Sequence, residues 1–317
     1  MALSSTVFMP RNTIASIAIT ITIITTITII MAMRFPRNRK SVSIASSAKI
    51  NLFLDVIGKR SDGYHEIETV FSVVNLHDSL KFALTENPAI KILSNNPGLV
   101  TQDNLIYRVL SKLKNLSGAR VGVEVTLTKR IPIAAGLGGG SSNAAMTILA
   151  ANALFDLQMN DSEMHILAAE FGSDVNFFLV GGTCLGTGRG EKIYPIEDFI
   201  ASNVLLVKPD FGIMSKEAYD LLGCGISNYQ GDKQWYNVFS SVISTRYPII
   251  EDILNELVDC GADKAMLSGS GSTCYGVFLN AEDCCKAKSH FAAKKLWTQK
   301  VRTIGRSEYQ ACFPSLN

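Results

Sequence analysis

From Met1 to Ala48 the chain has no acidic residue, although Arg11, Arg34, Arg37, Arg39 and Lys40 all fall there. Charge is scarce over the whole chain, at 18% of residues with a net of +2. No long basic run is present, which excludes nucleic acid as an expected partner. None of the seven cysteines forms a Cys-x-x-Cys pair, and no Cys/His cluster has zinc spacing. A structural zinc site is therefore not expected, and scattered thiols in odd number suit a reducing compartment. No internal repeat occurs, so a solenoid or propeller is excluded. What is present is a chain of 317 residues, 47% hydrophobic, long enough for two lobes sharing one cleft.

The acid-free leader stands apart. Residues Thr13 to Met33 carry no charge and are rich in Thr and Ile, and their length would span a bilayer. A membrane anchor, an organelle transit peptide and low-complexity sequence ahead of a true start at Met31 or Met33 all fit. Residues 1–42 are set aside as this leader, and the rest carries 25 basic and 28 acidic residues, 30 and 28 in the whole chain less five basic ones. Plastid stroma and bacterial cytoplasm both suit the body. No stable membrane association is expected of it, and a monomer or weak homodimer is.

Ile50, Leu52, Leu54 and Val56 alternate as a strand, and Asp62-Gly63 turns the chain toward a second strand near Ile67 to Val74. Val121, Val123, Val125 and Leu127 alternate again. The spacing predicts helices over Ala144–Phe155, Ser162–Glu170, Lys216–Leu222, Tyr236–Thr245, Ile250–Val258 and Ala281–Leu296. Strands are expected near Phe177–Val180, Val204–Val207, Ala265–Leu267, Tyr275–Leu279 and Val301–Ile304. Interleaving without a regular βαβ repeat argues for an α+β fold, divided into lobes at 43–200 and 201–317.

Between an alternating strand and an Ala-rich helix lies Gly136-Leu137-Gly138-Gly139-Gly140-Ser141-Ser142. Glycine lets backbone N–H groups converge on an anion with no Cβ in the way, and a following helix adds its own unpaired N–H groups. It is neither a Walker loop, lacking Gly-Lys-Ser/Thr, nor a dinucleotide fingerprint, since Ser141 stands at the third glycine. A mobile loop or close-packed turn is the alternative, but four glycines in five residues cost much conformational entropy. Ser141, Ser142 and Asn143 lie where they can cap the helix or reach a phosphate or its magnesium. A second run, Ser268-Gly269-Ser270-Gly271-Ser272, is weak alone and a second wall of the same site when paired with the first.

Together with Ser47-Ala48-Lys49-Ile50-Asn51-Leu52-Phe53-Leu54, these two runs resemble, in order, the three motifs of the galactokinase, homoserine kinase, mevalonate kinase and phosphomevalonate kinase superfamily. Further marks are Gly63-Tyr64-His65, Asp103-Asn104-Leu105-Ile106, Gly172-Ser173-Asp174-Val175-Asn176 and Gly188-Arg189-Gly190-Glu191. These point to the branch that phosphorylates a hydroxyl of a cytidylated sugar alcohol on the non-mevalonate route to isoprenoids. The resemblance covers roughly residues 43 to 305. It implies a two-lobed α+β kinase with ATP and substrate between the lobes, ATP and Mg2+ as cofactors, and no dedicated protein metal site. Asp174 would be the general base and Lys49 its neighbour at the transferring phosphate. Pro132, Gly136, Leu137, Gly138, Gly139, Gly140, Ser141, Ser142 and Asn104 would bind ATP. Asn51, Tyr64, His65, Ser268 and Gly269 would bind substrate, with Tyr64 and His65 on the cytidine. Without the resemblance, Asp174 reads equally as a turn residue, Lys49 as a solvated strand-end lysine, and Tyr64 and His65 as a hairpin tip.

Three departures stand out. Asn143 replaces the Asp that many members carry after the paired serines, removing a negative charge near magnesium. Asn176 replaces the proline of the acidic motif, and residues 223–234 fit none of these motifs, which leaves the far wall of the substrate pocket unassigned. A sister kinase acting on homoserine, mevalonate or phosphomevalonate is one rival, opposed by Gly63-Tyr64-His65. A silent sensor is the other, opposed by retention of both Asp174 and Lys49.

Overall fold

The computed structural model describes residues 40–223 and 235–313. The leader up to residue 39, and residues 224–234 of the unassigned segment, lie outside the described residues. Two strands, β1 (Ser41–Lys59) and β2 (His65–Thr85), form a long antiparallel hairpin, with Gly63 at φ 85° in the turn. The first sheet has seven strands and its main path runs β3-β4-β2-β1-β8. Here β3 is Ile90–Ser94, β4 is Gly122–Thr128 and β8 is Tyr236–Asn237. Two more strands, β5 (Thr183–Thr187) and β6 (Lys192–Pro195), extend it from the first half of β2. The second sheet is antiparallel, in the order β11-β7-β10-β9. Its strands are β7 (Val204–Lys208), β9 (Lys264–Leu267), β10 (Cys274–Val277) and β11 (Trp297–Val301).

Helices α1 (Leu105–Ser117), α2 (Gly139–Leu154), α3 (Asp161–Phe171) and α4 (Val175–Val180) pack with the first sheet around one core. The second sheet packs with α5 (Ser215–Leu222), α6 (Phe239–Arg246), α7 (Ile249–Asp259) and α8 (Ala281–Ala293) around another. A third cluster joins Ala48, Ile50 and Leu52 of β1 to Leu206, Met266 and Tyr275 of the second sheet. The Tyr275 hydroxyl closes that seam by donating to Asn51 O at 2.8 Å. Helix α2 is buried around most of its circumference, including Ala144, Ala145, Met146, Ile148, Ala150 and Ala151, and small side chains let its neighbours approach. The last helix, α9 (Arg306–Ala311), inserts Tyr309 against α4, where its hydroxyl donates to Phe178 O at 2.8 Å.

Several elements differ from expectation. The apolar run at 177–180 is the helix α4, not a strand; short apolar runs have no diagnostic period, and this one is buried on nearly every side. Helix α2 begins at Gly139 rather than Ala144, so half of the glycine run is its first turn. The expected helix Tyr236–Thr245 is divided, because Tyr236 and Asn237 pair with Phe53 and Leu54 of β1 before α6 starts. Strand β2 continues to Thr85, since β4 covers its far half from Ser79 onward. Strand β11 lies at 297–301, and Thr303 and Ile304 instead donate to Ala201 O and Val73 O. Helix α8 ends at Ala293, ahead of a left-handed turn at Lys295.

Candidate active site

Four stretches of chain meet at the seam between the sheets. Lys49 and Asn51, two apart on β1, point to the same side and are both buried. Lys49 Nζ donates to Asn51 Oδ1 at 2.5 Å and lies 3.5 Å from Asp174 Oδ2. Asn51 Nδ2 donates to the Thr69 hydroxyl (2.8 Å), which donates on to Phe53 O (2.7 Å), so the pair is held by both hairpin strands. Asp174 begins α4 and its side chain keeps 29% of its exposure, against 4% for Lys49. Burial lowers the Lys49 pKa, and the Asp174 charge opposes that shift.

The glycine run crosses directly above. Lys49 N donates to Leu137 O at 3.0 Å, tying the run to β1. Gly136 and Gly138 are left-handed, at φ 73° and 69°. A Cβ on Gly136 would lie 2.0 Å from Ser268 O, and one on Gly138 would lie 2.9 Å from the Phe178 ring. Ser268 Oγ donates to Gly136 O at 3.0 Å, and Gly269 sits where a Cβ would be 3.1 Å from Lys49 Nζ. The two glycine-serine runs are therefore in contact, one on each side of Lys49. Gly140 is exposed and Ser141 half-buried at the first turn of α2. Pro132 and Asn104 flank the run. Asn104 caps α1, accepting from Ile106 N and donating to Leu99 O, and Leu105 behind it reaches Gly140.

Ser142 and Asn143 do not face this space. Ser142 is fully buried, its hydroxyl accepting from Ser46 Oγ at 2.7 Å and its N–H donating to Gly138 O. In the amide orientation that satisfies its neighbours, Asn143 Nδ2 donates to Asp78 Oδ2 (3.1 Å), Ser46 Oγ (2.7 Å) and Gly139 O (3.3 Å). Asp78, also fully buried, accepts from Lys129 Nζ (2.6 Å), Arg130 N (2.7 Å) and Ile131 N (2.9 Å). The expected loss of charge near magnesium is thus corrected. Asn143 belongs to a polar network beneath the loop, where Asp would oppose the Asp78 carboxylate.

At the hairpin tip Tyr64 is exposed and lies under the Arg189 guanidinium, 4.6 Å from ring centroid to Cζ. The His65 ring stacks on Tyr219 at 4.7 Å. Tyr219, on α5, was not expected from the sequence. Burial, with a smaller contribution from the Asp174 charge, pushes its pKa up to about 12. Asn237 was also missed; its Nδ2 donates to Leu267 O and Gly269 O, both at 2.8 Å, and so fixes the second run. Neither residue lies in a glycine-rich or charged motif, so no local signal marked them. A separate groove of about 580 Å³ between β3 and α1 contains none of these residues.

A buried lysine beside a partly exposed carboxylate, under a glycine-rich helix start, is an arrangement suited to phosphoryl transfer. The chain matches the GHMP kinases N terminal domain over residues 104–182 and the GHMP kinases C terminal domain over 214–296. It is 36% identical over 279 residues to a 4-diphosphocytidyl-2-C-methyl-D-erythritol kinase of Thermodesulfovibrio yellowstonii, covering 81% of this chain and 96% of that one. A protein of the same name from Thermoanaerobacter pseudethanolicus is 40% identical over 266 residues, 78% of this chain and 91% of its own. A crystal structure of 4-(cytidine 5'-diphospho)-2C-methyl-D-erythritol kinase superposes with a TM-score of 0.69 at 27% identity, covering 83% of this chain and all of that one. A homoserine kinase from Cytophaga hutchinsonii shares the fold, with a TM-score of 0.67 at 19% identity over 86% of this chain and 97% of its own. The chain belongs to the 4-diphosphocytidyl-2-C-methyl-D-erythritol kinases of the GHMP kinase superfamily.

Proposed function

We propose that this protein transfers the γ-phosphate of ATP to a hydroxyl of 4-diphosphocytidyl-2-C-methyl-D-erythritol, with Asp174 as general base. The observation that carries the reading is the Lys49–Asp174 pair, 3.5 Å apart and bordered by both glycine-serine runs. The Asp174 carboxylate takes the proton as the hydroxyl oxygen attacks phosphorus, and the bond to the ADP oxygen breaks. Lys49 offsets charge on the phosphoryl oxygens. Backbone N–H groups from Gly136 to Ser141 cradle the phosphates, and Asn104 borders the adenine end. Tyr64, His65 and Tyr219 form the aromatic wall for the cytosine ring. The lobes divide near residue 200 in this reading, so each glycine-serine run comes from a different lobe.

Magnesium in phosphotransfer sites is held by one or two protein oxygens together with substrate phosphates. Among the described residues no group of three or more His, Cys, Asp and Glu gathers. The donor set here, the Ser141 hydroxyl at the helix start and the exposed edge of Asp174, fits an ion that arrives on the triphosphate. When bound, the ion neutralises charge on the phosphate oxygens.

The test is ADP release by the full-length protein with magnesium-ATP and each of three alcohols: the cytidylated substrate, homoserine and mevalonate. Turnover is expected with the first alone, and Asp174→Asn should lower kcat by about 10²–10⁴-fold. Turnover with another alcohol instead would overturn the substrate, and an active Asp174→Asn would overturn the base.

A further inference from the structure

The turn Gly188-Arg189-Gly190-Glu191 joins β5 to β6 and stands between the two ends of the site. Its backbone is pinned to β2, where Ile67 N donates to Gly188 O at 2.7 Å. Gly188 and Gly190 are both left-handed, at φ 74° and 103°. A Cβ on Gly190 would lie 3.6 Å from Ser173 Cβ and 3.9 Å from Asp174 Oδ1. The backbone of the turn thus lies beside the carboxylate. The Arg189 side chain goes the other way, with its guanidinium over the face of Tyr64 at 4.6 Å.

Arg189 therefore spans the interval between Asp174 and the hairpin tip. A ligand with its base at the tip and its reacting hydroxyl at Asp174 must carry its diphosphate across that interval. We propose that Arg189 binds this diphosphate and so makes the site selective for a nucleoside-diphosphate ester over a plain alcohol. The proposal rests on the cytidylated-substrate reading above.

The chemistry agrees. A guanidinium is a planar fork of donors matched to phosphate oxygens, and it stacks on aromatic faces. Nη2 donates to Ala169 O at 3.4 Å, and Glu191 Oε2 accepts the Arg189 backbone N–H at 2.5 Å while lying 4.0 Å from Nε. These contacts hold the head over Tyr64 before a ligand arrives, which reduces the ordering cost of binding. The other guanidinium of the tip is more closely engaged: Arg60 meets Asp62 at 3.1 Å and Glu66 at 2.8 Å. Lys49 lies at the reacting end, against Asp174. Arg189 is thus the guanidinium placed for the middle of the substrate.

The experiment compares cytidine with CDP as ligands of the full-length wild type and of Arg189→Gln, by calorimetric titration, with the KM for ATP measured alongside. The wild type should bind CDP about tenfold or more tightly than cytidine, as charge-assisted bonds to phosphate require. In Arg189→Gln that preference should fall to about threefold or less, while cytidine itself changes little, because the removed group meets phosphate rather than base. A purely structural role would weaken both ligands together. If the Gln variant fails to fold, Arg189→Lys decides: losing the fork should cost about threefold or more of the preference. An unchanged preference in either variant, or none in the wild type, overturns the proposal. Failure of both ligands to bind the wild type would instead overturn the cytidylated-substrate reading.

Discussion

Asp78 offers the sharpest test of how the phosphate loop is supported. It is fully buried and accepts from Lys129 Nζ and from two backbone N–H groups, Arg130 and Ile131. The Lys129 side chain is only 9% exposed. Replacing Asp78 with Ala leaves a buried ammonium without its partner, a change that costs about 3–5 kcal/mol. Two backbone donors are orphaned as well, at about 1–3 kcal/mol each where no water reaches them. The terms overlap, so a loss of about 4–6 kcal/mol is expected, a large share of the ~5–15 kcal/mol that holds a domain folded. Asp78→Asn keeps an acceptor for the backbone and should cost less, about 2–3 kcal/mol. Adding Lys129→Met to Asp78→Asn should restore about 1 kcal/mol or more, because the stranded charge is then gone. Urea unfolding followed by far-ultraviolet circular dichroism measures the wild type, these three variants and Lys129→Met alone. A loss below about 1 kcal/mol in Asp78→Ala, or strict additivity in the double variant, refutes the reasoning.

Other expectations follow from the same geometry. Gly136→Ala and Gly63→Ala both force a side chain into a left-handed backbone, at φ 73° and 85°, but only the first meets an obstacle, Ser268 O at 2.0 Å. Gly63→Ala should cost about 1 kcal/mol with kcat/KM retained, whereas Gly136→Ala should lose about tenfold or more in kcat/KM; equal effects would refute the contact. For Lys49, burial sets the folded pKa below the ordinary 10.5. Between that lowered value and 10.5 the unfolded chain holds more protons, so this residue's contribution to stability rises with pH across the window. Activity, which needs the ammonium, should fall through the same window, and a titration of isotope-labelled lysines finding 10.5 for Lys49 would refute it.

Much of the framework was legible because its signals are local. Alternation exposed β1 and β4, and strand-turn-glycine-helix order exposed the phosphate loop. Other elements were hidden by context. Helix α1, absent from the expected elements, carries a local signal all the same, with Ile106, Val109, Leu110 and Leu113 on one face between Asn104 and Gly118. Helix α4 could not be told from a strand, since burial on nearly every side erases the pattern. Strands β3 and β5 are short and gain their identity from partners far along the chain, β4 and β2, while short β6 pairs with β5 across a turn. Within the site, Lys49, Asn51 and Asp174 were named from a resemblance, and their convergence depends on the hairpin register. Tyr219 and Asn237 became visible only in three dimensions, because each is defined by what it touches: the His65 ring for one, the Gly269 carbonyl for the other.

The contact between Gly136 and Ser268 has a bearing on inheritance. A carbonyl from one half of the chain occupies the space where a side chain on the other half would begin, so neither segment can drift without the other. Recombination between diverged relatives at any point from residue 137 to 267 would separate the two partners and combine loops shaped for different counterparts. Hybrids that exchange both runs together should therefore outlive hybrids that exchange one, and the two halves of this enzyme are expected to descend as a matched pair.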